Sequence, residues 1–382
     1  MSDIATQSAL VIGVVRETIA GEHRVALVPE VAQKLTAAGV TIVMQRGAGT
    51  AAQFPDNLFK TVEFVDSAQE VFARADLLLK VQPLSAEEAG LLKVGATHAG
   101  FMQPHNHLAA VQVLKDRRIT SLAMELVPRI SRAQSMDALS SQASIAGYKA
   151  VLIGANALDR FLPMLTTAAG TIRPAQVLVI GVGVAGLQAI ATAKRLGAIV
   201  EAYDVRSATR DQVKSLGAKF IETGVTAEGA GGYARELTTE EKDKQQAVLD
   251  ARIAVADMVI TTAGVPGRAA PKIISKSTVE KMKTGAVIVD ILAENGGNCE
   301  LSIAGETVQH GAVRIIGPIN LPAQLAYHAS EMYSRNLFNL LSPAIKAGVL
   351  SIDWTDEVFA GTVLTHAGEI KHEPTAKLLA HS

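Results

Sequence analysis

A single cysteine, Cys299, stands in 382 residues, which excludes an internal disulfide and suits a reducing compartment. Aromatic residues are scarce at 4%, with one tryptophan, a composition unlike that of a β-sandwich. Neither charge is in excess. Lys and Arg number 36 against 37 Asp and Glu, a formal net charge of −1, so no broad basic face for nucleic acid is implied. No run reaches the ~18 apolar residues of a membrane helix. The start, Met1-Ser2-Asp3-Ile4, has no charged segment before a long apolar core, so it does not read as a signal peptide. What is abundant is aliphatic and small: 48% hydrophobic residues and 31 glycines, the make-up of alternating strands and helices. The length suits two or three domains.

The most informative stretch runs from Gln176 to Asp204. An apolar run, Val177–Ile180, breaks into Gly181-Val182-Gly183-Val184-Ala185-Gly186, becomes helix-like through Leu187, Ile190 and Leu196, and stops at Gly197. It resumes as a strand, Ile199–Tyr203, ending at Asp204. Strand, glycine turn, helix, strand and acid make the pattern of a dinucleotide site. Gly181 allows the tight turn, Gly183 lets the backbone approach a pyrophosphate, and Gly186 lets helix and strand pack closely. The helix start offers N–H groups and a positive dipole end to the phosphates. Asp204 lies roughly 20 residues beyond Gly181, where a carboxylate meets the ribose hydroxyls. A carboxylate repels a 2′-phosphate, so NAD is favoured over NADP, although Arg206 keeps NADP open. The candidate cofactor set also takes in Val205, Thr262, Ala263 and Glu294.

From Leu10 to Glu125 the βα pattern repeats without a phosphate-binding glycine triplet. Strands are expected at Leu10–Val15, Val40–Met44, Leu77–Val81 and Thr120–Ala123, with helices near Pro29–Ala38, Ser67–Arg74, Ser85–Leu92 and Leu108–Asp116. Pro128–Arg160 reads as one long helical connection, and Thr166–Pro174 as a linker-like turn. A helix is expected from Pro322 to about Leu341, then a hairpin at Val363–Ile370. A tail this short buries no core of its own, so it is expected on the N-terminal sheet. The expected fold is α/β: two doubly wound parallel-sheet domains, one Rossmann and NAD-binding (138–329), one discontinuous (1–137 with 330–382).

The segment Pro128-Arg129-Ile130-Ser131-Arg132-Ala133-Gln134-Ser135-Met136-Asp137-Ala138-Leu139-Ser140-Ser141-Gln142 resembles the signature of the NAD(H)-binding component of proton-translocating NAD(P) transhydrogenase, which is related in fold to alanine dehydrogenase. The resemblance covers nearly the whole chain and is strongest over Pro128–Gly147, Gly181–Gly197 and Ala286–Asn298. It implies a dimer that binds NAD(H) in a cleft between its domains. It also implies docking on an NADP(H)-binding subunit, hydride exchange with NADP(H) held there, and coupling to proton translocation through membrane-spanning channel subunits. The chain ends at Ser382 without membrane helices, as in the split type. That implies a cytoplasmic protein, peripheral on the inner face of the bacterial plasma membrane. Carried over by position, Arg129, Gln134, Asp137 and Ser140 order the nicotinamide and its ribose. Gln134 is the candidate for reaching the second nucleotide, with Arg129 and Asp137 beside it in the transfer. Tyr233 belongs to a loop that closes over NAD(H), and Asp204 is the adenosine-ribose acid.

On the residues alone, Ser131 could cap a helix, and Arg129 and Arg132 could equally be solvated charge. The serines at 135, 140, 141 and 144 are poor helix formers unless their hydroxyls are used. The main rival is alanine dehydrogenase, whose substrate-binding arginine is matched by Arg24. That enzyme needs acid–base groups. Its lysine corresponds to Gln82, its catalytic histidine to Gln103, and its aspartate to Glu294. A catalytically silent NADH-binding module is the third reading. His98, His105 and His107 lack a completing ligand set, so no metal is expected. Cys299 is expected to be inert packing.

Overall fold

The computed structural model describes residues 9–224, 238–264 and 268–380. They fall into two compact units, one running up to Gln142 and resuming at Ala323, the other Ala143–Pro322. The sequence reading put the joins at 137/138 and 329/330.

The first unit starts with strands β1 (Val11–Val14), β2 (Thr41–Gln45), β3 (Glu63–Val65), β4 (Leu77–Leu79), β5 (Thr97–Gly100) and β6 (Thr120–Ala123), interleaved with helices α1 (Pro29–Ala37), α2 (Ala68–Arg74), α3 (Ala86–Leu91) and α4 (Leu108–Asp116). Helix α5 (Ala138–Ala157) follows. The second unit holds β7 (Leu165–Thr167), β8 (Gly170–Ile172), β9 (Gln176–Ile180), α6 (Val184–Arg195), β10 (Ile199–Tyr203), α7 (Arg210–Ser215), β11 (Lys219–Phe220), α8 (Thr239–Val255), β12 (Met258–Thr261), α9 (Lys276–Val279), β13 (Val287–Asp290), β14 (Thr307–His310) and β15 (Val313–Ile316). The chain then returns to the first unit with α10 (Ala326–Leu341), β16 (Ile345–Lys346), β17 (Val349–Leu350), α11 (Glu357–Thr362), β18 (Val363–His366), β19 (Glu369–Ile370) and α12 (Glu373–Ala380).

The first sheet has the order β19-β18-β6-β5-β4-β1-β2-β3. Strands β1 to β6 pair in parallel, and β18 joins β6 antiparallel, with β19 antiparallel beyond it. The tail hairpin thus completes the N-terminal sheet. One face packs on α1 and α10 through Val31, Leu35, Tyr333 and Leu337, the other on α2 and α4 through Phe72, Val111 and Leu114. Burial on both faces explains the unbroken Leu77-Leu78-Leu79 of β4, all at most 1% exposed. The second sheet, β11-β10-β9-β12-β13-β15-β14, is parallel except for the β14–β15 pair. It too is covered on both faces, by α5 and α6 on one side and α8 and α9 on the other. Ser85 with Glu88, and Thr238 with Glu241, form capping boxes that set the starts of α3 and α8.

The structure corrects several expectations. Pro128–Arg160 is not one helix. Ser131–Met136 is a 3₁₀ turn, and α5 begins only after Asp137, whose extended backbone (φ −72°, ψ 90°) ends that turn. Asp137 caps α5 by accepting from the Ser140 N–H at 2.9 Å. Ser131 caps nothing; Ile130 holds the N-cap position of the turn without a side-chain bond. Thr166–Pro174 is no bare linker, since β7 and β8 form a small antiparallel hairpin there. Strands β3, β5 and β14 were not foreseen. In β5, Thr97-His98-Ala99-Gly100 lacks an aliphatic run, yet His98 is fully buried. Its Nδ1 faces Ser121 Oγ at 3.1 Å, and burial, with Lys80 nearby, lowers its pKa to about 3. His98 is therefore a neutral interior group, whereas His105 is exposed.

Candidate functional site

In the second unit, β9 is the strand at which sheet order reverses, with β10 on one side and β12 on the other. The crevice at the carboxyl ends of such strands is where open α/β sheets take ligands. Gly181, Thr262 and Asp204 sit at those ends. Gly181 has φ +91°, and a β-carbon there would stand 2.7 Å from Thr262 Oγ1. That hydroxyl donates to the Gly181 carbonyl at 2.9 Å. A β-carbon on Gly186 would meet the same carbonyl oxygen at 1.9 Å, so α6 lies against the turn as only glycine permits.

Gly183 differs. Its backbone is extended (φ −82°, ψ −164°), a conformation any residue adopts, and an added β-carbon would touch nothing within 4 Å. Among the described residues, no packing contact requires glycine there. The neighbouring Val184 is 42% exposed, and α6 starts with no described side chain capping it. Open space at a helix start without a described side-chain cap is what a pyrophosphate needs.

Asp204 is 8% exposed and heavily engaged. One oxygen accepts from the Val182 N–H at 2.7 Å and from Arg206 Nη2 at 2.9 Å; the other accepts from the Arg206 N–H and Nε, both at 2.9 Å. A carboxylate has about four lone-pair directions, so these bonds saturate it. A further donor reaches this carboxylate only by taking the place of the Arg206 guanidinium. Val182, Gly183, Gly186, Asp204, Arg206 and Thr262 are gathered at this end of the sheet, with Val205 half-buried beside Asp204.

Two supporting residues were missed from sequence. Asn298, fully buried, donates to the Ala263 and Pro271 carbonyls and accepts the Ala263 N–H at 3.1 Å, fixing the backbone after β12. Asp290, also fully buried, gathers Thr261 Oγ1, the Cys299 N–H and Ser302 Oγ at 2.7–3.0 Å. The signal for Asp290 was an acid ending the apolar run Val287–Val289; Asn298, in a polar glycine turn, carried none. Cys299 is fully buried, with burial raising its thiol pKa. Glu294 is exposed and accepts the Asn320 N–H at 2.9 Å. Tyr233 lies outside the described residues.

In the first unit the 3₁₀ turn presents Gln134 on the surface, Arg129 is exposed just before it, and Asp137 and Ser140 are half-buried and bonded to each other, Ser140 Oγ donating at 2.5 Å. Arg132 is more than a solvated charge. It forms a two-pronged pair with Asp356, the N-cap of α11, at 2.5 and 3.0 Å. At the carboxyl ends of β1 and β4, a network of charged and amide groups fills the space. Arg24 is bidentate to Glu22 (2.6 and 2.9 Å) and donates to Gln142; Gln82 donates to Glu22 at 2.5 Å. Lys80, fully buried, pairs with Glu17 at 2.9 Å and Glu88 at 3.4 Å. Burial alone would lower the Lys80 pKa, but the two carboxylates outweigh it and hold it above its ordinary value. Burial in turn raises the Glu17 pKa. Gln103, at φ +43°, is exposed and has its N–H bonded to Glu125.

Residues 13–146 match the family described as Alanine dehydrogenase/PNT, N-terminal domain, and residues 150–373 match Alanine dehydrogenase/PNT, C-terminal domain. An NAD(P) transhydrogenase alpha subunit of Rhodospirillum rubrum is 46% identical over 376 residues, covering 94% of this chain and 97% of that protein. The alanine dehydrogenase of Mycolicibacterium smegmatis is more distant, 29% identical over 96% of both chains. Among solved structures, the transhydrogenase from Sinorhizobium meliloti superposes with a TM-score of 0.85 at 41% identity, covering 94% of this chain and 99% of that one. Among the described residues, no helix is long and apolar enough to cross a membrane.

Proposed function

The chain belongs to the alanine dehydrogenase/PNT family, and from that premise we propose that it is the NAD(H)-binding alpha subunit of a proton-translocating NAD(P) transhydrogenase. It is an oxidoreductase that exchanges a hydride between NAD(H) on this subunit and NADP(H) on a partner. The nicotinamide nucleotide is its substrate. The Gly181–Gly186 turn takes the pyrophosphate, Asp204 the adenosine ribose, and Thr262 and Ala263 border the same crevice. Arg129, Gln134, Asp137 and Ser140 order the nicotinamide end, and Tyr233 belongs to a closing loop. The working assembly contains two copies of this chain, the NADP(H)-binding subunit and membrane-spanning subunits that conduct the proton. This chain lies on the cytoplasmic face of the membrane through those partners.

The observation that carries this reading over alanine dehydrogenase is the chemistry around Arg24. Oxidative deamination passes through an imine and needs a positioned acid–base group. Arg24 is already neutralised by Glu22, and amides stand at Gln82 and Gln103 where such a dehydrogenase has ionisable groups. Transfer between two nicotinamide rings moves no proton in the chemical step. It asks only that two carbon-4 atoms be held on the order of 3–3.5 Å apart with water excluded.

The deciding experiment mixes this chain with an NADP(H)-binding partner subunit and follows reduction of an NAD analogue by NADPH. Rapid transfer is expected with the partner, and no turnover of alanine with NAD by the chain alone. Robust alanine oxidation without a partner overturns the proposal. In the same assay Gln134→Asn slows transfer about 10–100-fold, since a shortened side chain misplaces the second ring, while NADH affinity stays within about 3-fold. Collapse of affinity with an intact rate per bound nucleotide would remove Gln134 from this role.

A further inference from the structure

Helix α10 joins the core of the first unit's sheet through Tyr333, Leu337 and Leu340, with Ala329 buried on the same face. Asn336 belongs to this buried face and is 7% exposed. An amide at a core position is costly unless its groups are bonded. Its bonds go to the two ends of one segment. Nδ2 donates to the Ser135 carbonyl at 2.9 Å, inside the 3₁₀ turn. Oδ1 accepts from Ser141 Oγ at 2.7 Å, in the first turn of α5. Exchanging the amide's oxygen and nitrogen would set an oxygen against a carbonyl, so the orientation is fixed by its partners. Asn339, three residues on and on the same side of the helix, donates to the same Ser135 carbonyl at 3.0 Å.

The doubly held carbonyl lies next to Gln134. Before it, Arg132 is clamped by Asp356, and after it Asp137 is locked onto Ser140. Between these fastenings the Gln134 side chain stands exposed, with Arg129 and Ser131 exposed just ahead of them. A short turn held at three points within seven residues is more constrained than its own backbone bonding requires. One of those backbone bonds, Asp137 N–H to the Gln134 carbonyl, is long at 3.4 Å. Side chains from elsewhere in the chain therefore supply much of its rigidity. Transfer that depends on sub-ångström placement is sensitive to such support.

We propose that Asn336, assisted by Asn339, is a positioning residue that holds the Ser131–Asp137 turn so that Gln134 is presented in one orientation for hydride transfer. Asn336 acts through Gln134 and touches neither nucleotide. The inference rests on the role of Gln134 in the function proposed above.

The test combines two readouts. In the chain alone, hydrogen exchange at the amides of residues 131–137 is compared between wild type and Asn336→Ala/Asn339→Ala. The variant is expected to exchange at least 10-fold faster there, while the amides of β1 and β4 keep their protection. Unchanged exchange in the turn overturns the proposal whatever the fate of the transhydrogenase reading. With the partner subunit, a double-mutant cycle pairs Asn336→Ala with Gln134→Ala in single-turnover transfer. Each alone is expected to slow transfer about 10-fold or more with NADH affinity within about 3-fold, and the two together are expected to be no worse than Gln134→Ala. Multiplying effects would make Asn336 an independent structural residue. If Asn336→Ala does not fold, Asn339→Ala carries both measurements, because that half-buried side chain can be removed without opening the core. If wild type transfers no hydride, the functional reading fails while the exchange measurement still decides the positioning claim.

Discussion

Gly183→Val is expected to lower NADH affinity by at least about 100-fold while leaving the fold intact and the melting temperature no lower. The backbone at Gly183 is extended, so valine adopts it without strain, and its β-carbon enters space where nothing lies within 4 Å. Removing a glycine from an extended position even favours folding slightly, by up to about 1 kcal/mol, through the unfolded chain. The cost falls on the ligand. A pyrophosphate kept away from the N–H groups of α6 loses charge-assisted bonds of about 1.5–3 kcal/mol each, and 100-fold in affinity corresponds to roughly 2.7 kcal/mol. Gly186→Ala supplies the contrast. Its methyl would stand 1.9 Å from the Gly181 carbonyl oxygen, so helix and strand must separate, at an expected cost of about 1–3 kcal/mol in stability. Fluorescence titration with NADH and thermal unfolding separate the two outcomes. Near-normal NADH binding by Gly183→Val would mean that the phosphates lie elsewhere.

These two glycines also mark how far the sequence can be read. The turn itself was legible because strand, glycines, helix and acid impose a period and a spacing that few other structures share. The sequence does not distinguish a glycine needed by the chain from one needed by a ligand; that distinction appears only when β-carbons are placed in the fold. The parallel strands with aliphatic runs, β1 and β4 for example, were equally plain. Strand β5 was hidden because it carries no apolar pattern: it is held by parallel pairing with β6, and the buried His98 meets Ser121 of that strand through Nδ1. The break between the 3₁₀ turn and α5 was hidden for a related reason. Asn336 and Asn339, some 200 residues away, take the Ser135 carbonyl and so draw it out of helical bonding. Arg132 read as surface charge because its partner, Asp356, comes from the far end of the chain. What the local sequence could not convey was long-range polar contact.

Asp204→Ala is expected to change the ratio of NADH to NADPH affinity by on the order of 10²–10³. The carboxylate favours the unmodified ribose in two ways. In the role proposed for it, it would accept the diol hydroxyls, at about 1.5–3 kcal/mol per bond to a charged group, and repel a 2′-phosphate. It also engages the Arg206 guanidinium through Nε and Nη2, both at 2.9 Å. Alanine at 204 removes the acceptor and the repulsion together. It leaves Arg206, two residues on, with its planar donors close to where a 2′-phosphate would sit, and arginine suits that group. NADH binding therefore falls about 100-fold while NADPH binding rises. Asp204→Ala/Arg206→Ala loses the gain for NADPH without recovering NADH, which assigns the switch to the guanidinium. Asp204 has a structural duty as well, since it accepts the Val182 N–H inside the glycine turn. Equal weakening of both nucleotides, with a lowered melting temperature, would assign its effect to that bond alone. Parallel titrations with NADH and NADPH, each with a thermal melt, distinguish these outcomes. Arg206 on its own makes the complementary case: Arg206→Ala leaves Asp204 with unfilled lone pairs, so NADH affinity should hold or rise while weak NADPH binding disappears.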